Sequence, residues 1–104
     1  MRDWPDIAAL ELLVAVADSG SVSAAARHAG VAQPNASRSL ARLERRLGVG
    51  LLQRSTSGST LSPAGTVIVE WARDVLESAS TLLDGADGLS RQESGDQLGV
   101  AASQ

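Results

Sequence analysis

Three glycines, Gly20, Gly30 and Gly48, divide the N-terminal half of the chain into segments, and each segment carries helical spacing with its own stop signal. In "DIAALELLVAVADSG", Ile7, Leu10, Val14 and Ala17 recur at helical steps, thickened by Leu13 and Val16; Asp6 can cap the start and Gly20 ends it. In "SVSAAARHAG", Ser21 or Ser23 is a good N-cap, three alanines are strong helix formers, and Gly30 is the stop. The third segment, "QPNASRSLARLERRLG", tolerates Pro34 because a first turn does not use its missing N–H. Ala36, Leu40, Leu43 and Leu47 make its buried stripe, and Asn35, Arg38, Arg42 and Arg45 lie on another face. Ala26 is small enough for two crossing helices to approach closely. Gly30 permits a tight turn, and Val31 is expected to plug beneath it.

Beyond Gly48 the period changes. Two short extended pieces, near 51–54 and 59–61, flank "STSG", a hairpin signal. Ser62-Pro63 then supplies an N-cap and a first-turn proline, and the spacing predicts a long helix from about residue 63 to 86 or 89. Its apolar stripe, Val67, Ile68, Trp71, Ala72, Val75, Leu76, Ala79, Leu82, Leu83 and Ala86, is too long for so small a domain to cover. The polar "SRQESGDQ" after it reads as a linker. Helix, short helix, turn, helix, hairpin is the layout of a winged helix-turn-helix, so the expected fold is mainly α with a long helix appended. The core must be aliphatic, because 104 residues include no Phe and no Tyr. A domain of this size is marginal on core burial alone, and oligomerisation would help it.

The net charge of −3 conceals a division. Residues 20–62 hold Arg27, Arg38, Arg42, Arg45, Arg46 and Arg54 against Glu44 alone, while acids dominate both flanks. A basic block between acidic segments suggests one surface that meets an anion. Enzyme chemistry has little to work with: no cysteine, one histidine and scattered acids give no nucleophile–base pair, and the lack of cysteine also removes disulfides and thiolate zinc sites. His28 reads as a surface side chain. No apolar run is long enough to cross a membrane and "MRDWPDIAAL" lacks a signal-peptide core, so the expected location is the cytoplasm.

The basic block coincides with the front of the third segment, which in a helix-turn-helix is the recognition helix entering the major groove. Gln33 and Asn35 suit adenine's paired donor and acceptor, and Arg38 suits guanine. Pro34 can touch a thymine methyl or be purely structural. Ser37 belongs to the same group. Arg42, Arg45 and Arg46 suit phosphates, and one of them can instead pair with Glu44. Ser21 and Ser23 can cap their helix and donate to phosphate together. Arg54, Ser55 and Thr56 sit where a wing meets the DNA backbone. Two other readings remain at this level: a winged helix of another regulator family, and a winged helix used for protein interaction.

The chain resembles the LysR-type transcriptional regulators. The matching stretches run in order: "GSVSAAA" (20–26), "QPNAS" (33–37), "LERRLG" (43–48), "LLQR" (51–54) and "LSPAG" (61–65). Leu13, Val22 and Leu52 stand where that family usually has Phe, which changes core packing. Ala32 stands where Ser is usual, removing one capping or phosphate-contacting hydroxyl. The resemblance implies a sequence-specific regulator of transcription binding double-stranded DNA at an interrupted palindrome. It implies a homodimer, with tetramers possible for the full-length protein, in which two linker helices lie antiparallel along Val67, Ile68, Trp71, Val75, Leu76, Ala79, Leu82 and Leu83. Its division would be 1–62 for DNA binding, 63–90 for dimerisation, and 91–104 for a hinge and the start of an effector-binding domain. No cofactor is expected within these residues, and a small-molecule inducer is expected to bind that missing domain. "DQLGVAASQ" is similar to the domain's first strand just beginning, so the chain reads as truncated.

Overall fold

A computed structural model describes residues 5–56 and 58–96. The elements are α1 (Ile7–Ser19), α2 (Val22–Ala29), α3 (Gln33–Leu47), β1 (Leu52–Ser55), β2 (Gly58–Leu61) and α4 (Pro63–Asp96). The helix ends follow the local chemistry. The Asp6 carboxylate accepts the Ala9 N–H at 3.1 Å, and the Ser21 hydroxyl accepts the Ala24 N–H at 3.1 Å. Ser21, rather than Ser23, is therefore the cap of α2; such a cap contributes about 1 kcal/mol. At Gly30 (φ +72°) the chain leaves α2 through paired bonds, Gly30 N–H to the Arg27 carbonyl at 3.2 Å and Val31 N–H to the Ala26 carbonyl at 3.0 Å.

α1 is the centre of the fold, packed against α2, α3, β2 and α4. Its buried arc is accordingly wider than one stripe: Ala9 and Leu12 join Leu10, Leu13 and Val16 in the core, while Ile7, Val14 and Ala17 are partly buried at its edge. Among the described residues, Leu13, Leu40, Leu51 and Val16 are the largest fully buried side chains, and the core is aliphatic. Leu13 and Val22 lie inside it and Leu52 packs against it. Val31 does not plug the turn; it is 40% exposed. Ala25, Ala26 and Ala36 are buried instead, and their small side chains let α2 and α3 pack closely.

β1 and β2 form an antiparallel hairpin with Leu52 opposite Leu61 and Ser55 opposite Gly58. Gly58 has φ +107°, a value L side chains rarely adopt. The return into α4 is locked to the chain just before β1. The Ser62 N–H donates to the Leu51 carbonyl at 2.8 Å, and the Ser62 hydroxyl donates to the Gly50 carbonyl at 2.8 Å while accepting the Gly65 N–H at 2.9 Å. A Cβ on Gly65 would stand 2.2 Å from the Leu51 carbonyl oxygen, so only glycine allows this approach.

α4 is 34 residues long and sets the 58 Å long axis; the radius of gyration is 17.8 Å, against about 13 Å for a compact domain of this size. The helix outlasts its expected end at 86 or 89 and runs through most of the stretch read as a linker, to Asp96. Polarity does not end a helix: no proline intervenes, and an Arg91–Asp87 ion pair spans one turn. Gly85 and Gly88 weaken it by about 1 kcal/mol each without breaking it. Residues 97–104, where the effector-domain strand is expected, lie outside the described residues. No single helix among the described residues is long and apolar enough to cross a membrane.

The stripe assigned to dimerisation splits in two. Ile68 and Leu76 pack against the core beside buried Val69 and Ala72, so they serve their own domain. Val67, Trp71, Val75, Leu82, Leu83 and Leu89 are exposed. The helix has two apolar arcs, and α1 covers only one of them.

Candidate nucleic-acid interface

α3 sorts its side chains as a two-faced helix must. Ala36, Leu40 and Leu43 are buried, Leu47 packs at the core's edge, and Gln33, Pro34, Asn35, Ser37, Arg38, Arg42, Arg45 and Arg46 are exposed. Asn35, Arg38, Arg42 and Arg45 recur at helical steps directly away from the core. Gln33 and Ser37, one turn apart, stand on a flank. Ala32 provides no side-chain cap to this helix, in keeping with its lost hydroxyl. The Arg38 guanidinium donates to the Asn35 side-chain oxygen one turn back, and Arg42 donates to the Ser39 hydroxyl at 3.4 Å. Such i, i+3 bonds on an exposed face orient the guanidinium groups without neutralising them.

α4 carries ion pairs of its own. Arg73 of α4 reaches Asp18 at the end of α1 at 2.8 Å, with Glu70 at 3.9 Å, and this hydrogen bond to Asp18 holds the Arg73 guanidinium above its usual range. The Arg73 and Arg91 pairs thus absorb carboxylates of α1 and α4, away from α3.

The other expected contacts lie on α2 and the hairpin. Ser21 caps α2 with its oxygen, and Ser23 accepts from Arg27 at 3.3 Å. Arg27 is exposed on α2, and in the sequence only its charge and its spacing of four from Ser23 distinguish it. Arg54, Ser55 and Thr56 are all exposed at the far end of the hairpin, with Arg54 opposite Ser59. The Ser55 hydroxyl donates to the Gly58 carbonyl at 3.1 Å, so it helps close the turn. Ser57 lies outside the described residues.

Glu44, the lone acid of the basic block, has a role no spacing revealed. One carboxylate oxygen accepts the N–H groups of Leu51 at 2.8 Å and Leu52 at 3.2 Å. Among the described residues no group of His, Asp and Glu is placed to hold a metal ion.

This arrangement has close relatives. An uncharacterized HTH-type transcriptional regulator of Mycobacterium tuberculosis is 42% identical over 100 residues, covering 96% of this chain and 32% of that protein. The HTH-type transcriptional regulator TfdS of Cupriavidus pinatubonensis is 43% identical over 86 residues, covering 83% of this chain and 29% of that one. The chain therefore spans about a third of the length of these curated relatives. Among solved structures, the DNA-binding domain of CbnR in complex with DNA matches with a TM-score of 0.75 and 38% identity, over 82% of this chain and 98% of that one. Residues 7–66, from the start of α1 into the first turn of α4, match the model of the bacterial regulatory helix-turn-helix proteins of the lysR family, and to that family the chain belongs.

Proposed function

We propose that the chain is the DNA-binding portion of a LysR-type transcriptional regulator, with α3 in the major groove and the hairpin on the flanking backbone. The observation that carries the reading is the outward face of α3: Asn35, Arg38, Arg42 and Arg45 stand exposed on a helix whose other face is fixed in the core. The CbnR domain, alike over most of its length, was solved with DNA. Gln33, Asn35, Ser37 and Arg38 read base edges, with Pro34 beside them. Arg42, Ser21, Ser23, Arg54, Ser55 and Thr56 meet phosphates. The exposed arc of α4 pairs with a second copy, giving a homodimer on an interrupted palindrome. Residues 1–62 and 63–90 are then the DNA-binding and dimerisation parts. Residues 91–104 lead to a further domain that binds a small-molecule inducer, and the whole acts in the cytoplasm.

Titration of the chain with duplex DNA over a range of salt tests this. Each phosphate neutralised contributes a slope of about −0.9 in log K against log salt, so several contacts give a steep line. Arg42→Ala weakens all sequences alike. Arg38→Ala or Gln33→Ala costs about 1–3 kcal/mol and relaxes preference at particular bases. Variants that bind like the parent would place the interface elsewhere.

A further inference from the structure

The basic block contains one acid, and charge alone makes it a misfit. A carboxylate beside a phosphate-binding surface repels its ligand. Glu44 is nevertheless held in place by an unusual concentration of bonds. Its backbone carbonyl accepts the N–H groups of Gly48 at 2.8 Å and Val49 at 3.3 Å, and its carboxylate accepts those of Leu51 and Leu52. Three amides of the four-residue link between α3 and β1, and the first amide of β1, thus converge on this one residue. From the other side the same link is gripped by Ser62, through the Gly50 and Leu51 carbonyls, and by the close approach of Gly65.

We infer that Glu44 is a positioning residue: its carboxylate fixes the angle between the recognition helix and the wing, so that Arg54 reaches the backbone while α3 sits in the groove. The inference rests on the DNA-binding reading above. Leverage makes it matter. Leu52 opens the ladder opposite Leu61, and Ser55 at the turn is three residues farther, about 10 Å at strand rise. A swing of roughly 10° at the root therefore moves the tip by about 2 Å, enough to break a hydrogen bond to phosphate. Two charge-assisted amide bonds hold the carboxylate in place.

Charge and position predict opposite signs. If Glu44 acts only as a charge, Glu44→Ala tightens DNA binding. If it positions the wing, Glu44→Ala weakens binding about tenfold and flattens the salt slope by about 0.9, the loss of one phosphate contact. Glu44→Asp keeps the charge but shortens the reach, and weakens binding too. Glu44→Gln keeps an acceptor at full reach and recovers most of the affinity. Arg54→Ala costs several-fold in the parent and less than twofold in the Glu44→Ala background, because the wing is already misplaced. The experiment titrates the 104-residue chain and these variants with duplex DNA selected from a random pool, and records a thermal melt of each. Tighter binding by Glu44→Ala, or an undiminished Arg54→Ala effect in its background, overturns the inference. Equal losses for Gln, Asp and Ala that track lowered melting assign Glu44 to folding alone and overturn it too. A parent chain without salt-dependent DNA binding overturns the DNA-binding reading itself, which the parent titration reports separately.

Discussion

The two halves of α4 carry similar apolar periodicity and meet different surroundings. Up to Leu76 the helix lies on α1, buries Val69 and Ala72, and is tied to it by the Arg73–Asp18 ion pair. Among the described residues, none of the core lies against it beyond Ala79, and Leu82, Leu83 and Leu89 are each more than 60% exposed. That stretch extends about 25 Å past the packed half at the usual helical rise. The difference teaches that periodicity reports how wide an apolar face is and not what covers it. Leu76 and Leu83, seven residues apart on one arc, end respectively at the core's edge and in solvent. An isolated helix of this composition with two internal glycines gains little from propensity, so its far half calls for a partner surface.

The largest effect that separates the two regions is on folding. Leu40 is fully buried, and Leu40→Ala should lower stability by about 2–5 kcal/mol. Leu89→Ala, at a 61% exposed site, should leave the melting of the globular head within about 0.5 kcal/mol of the parent. Thermal melts followed by circular dichroism check both. If Leu89→Ala lowers head stability as much as Leu40→Ala, the halves are not separate.

Association gives the next effect. Leu82→Asp with Leu83→Asp places two charges on the exposed half and should weaken self-association by about 100-fold, roughly 3 kcal/mol, with the head still folded. Leu76 is the wrong position for this test, because it packs against its own core and an Asp there would injure folding as well. Sedimentation measures the shift, and Trp71, 61% exposed in the single chain, reports it by fluorescence that moves to the red as the partner leaves. The smallest effect should come from Arg73→Ala. Its pair with Asp18 is largely solvent-exposed, and screened surface pairs contribute little, so the melting shift should be slight and should vanish at high salt.

Much of this molecule is legible in the sequence because its helix ends are local events. Asp6, Ser21 and Ser62 bond amides three residues away, and Gly20, Gly30 and Gly48 end their helices with positive φ, so each signal lies within a turn of its effect. The inward and outward faces of α3 follow from spacing in the same way. What escaped depends on the chain's return. Val69 falls off the stripe yet is buried, since α1 covers a different arc of α4. Local spacing pairs Glu44 with a neighbouring arginine, but its carboxylate accepts amides seven and eight residues ahead, at the start of a strand whose position nothing local fixes. Val31 has a plug's apolar side chain yet stays exposed, while the small Ala25, Ala26 and Ala36 are buried. α4 runs past its expected end because a polar segment looks alike as linker and as solvated helix.

The central claim is that the head reads one half-site and the far half of α4 joins two heads. Duplexes carrying one selected half-site, or two spaced by whole helical turns of about 10 base pairs, test it directly when titrated with the parent and with the Leu82→Asp, Leu83→Asp variant. The account predicts that the parent strongly prefers the paired site, while the variant binds both duplexes with the affinity the parent shows for one half-site. A variant that retains the parent's preference for the paired site would contradict it.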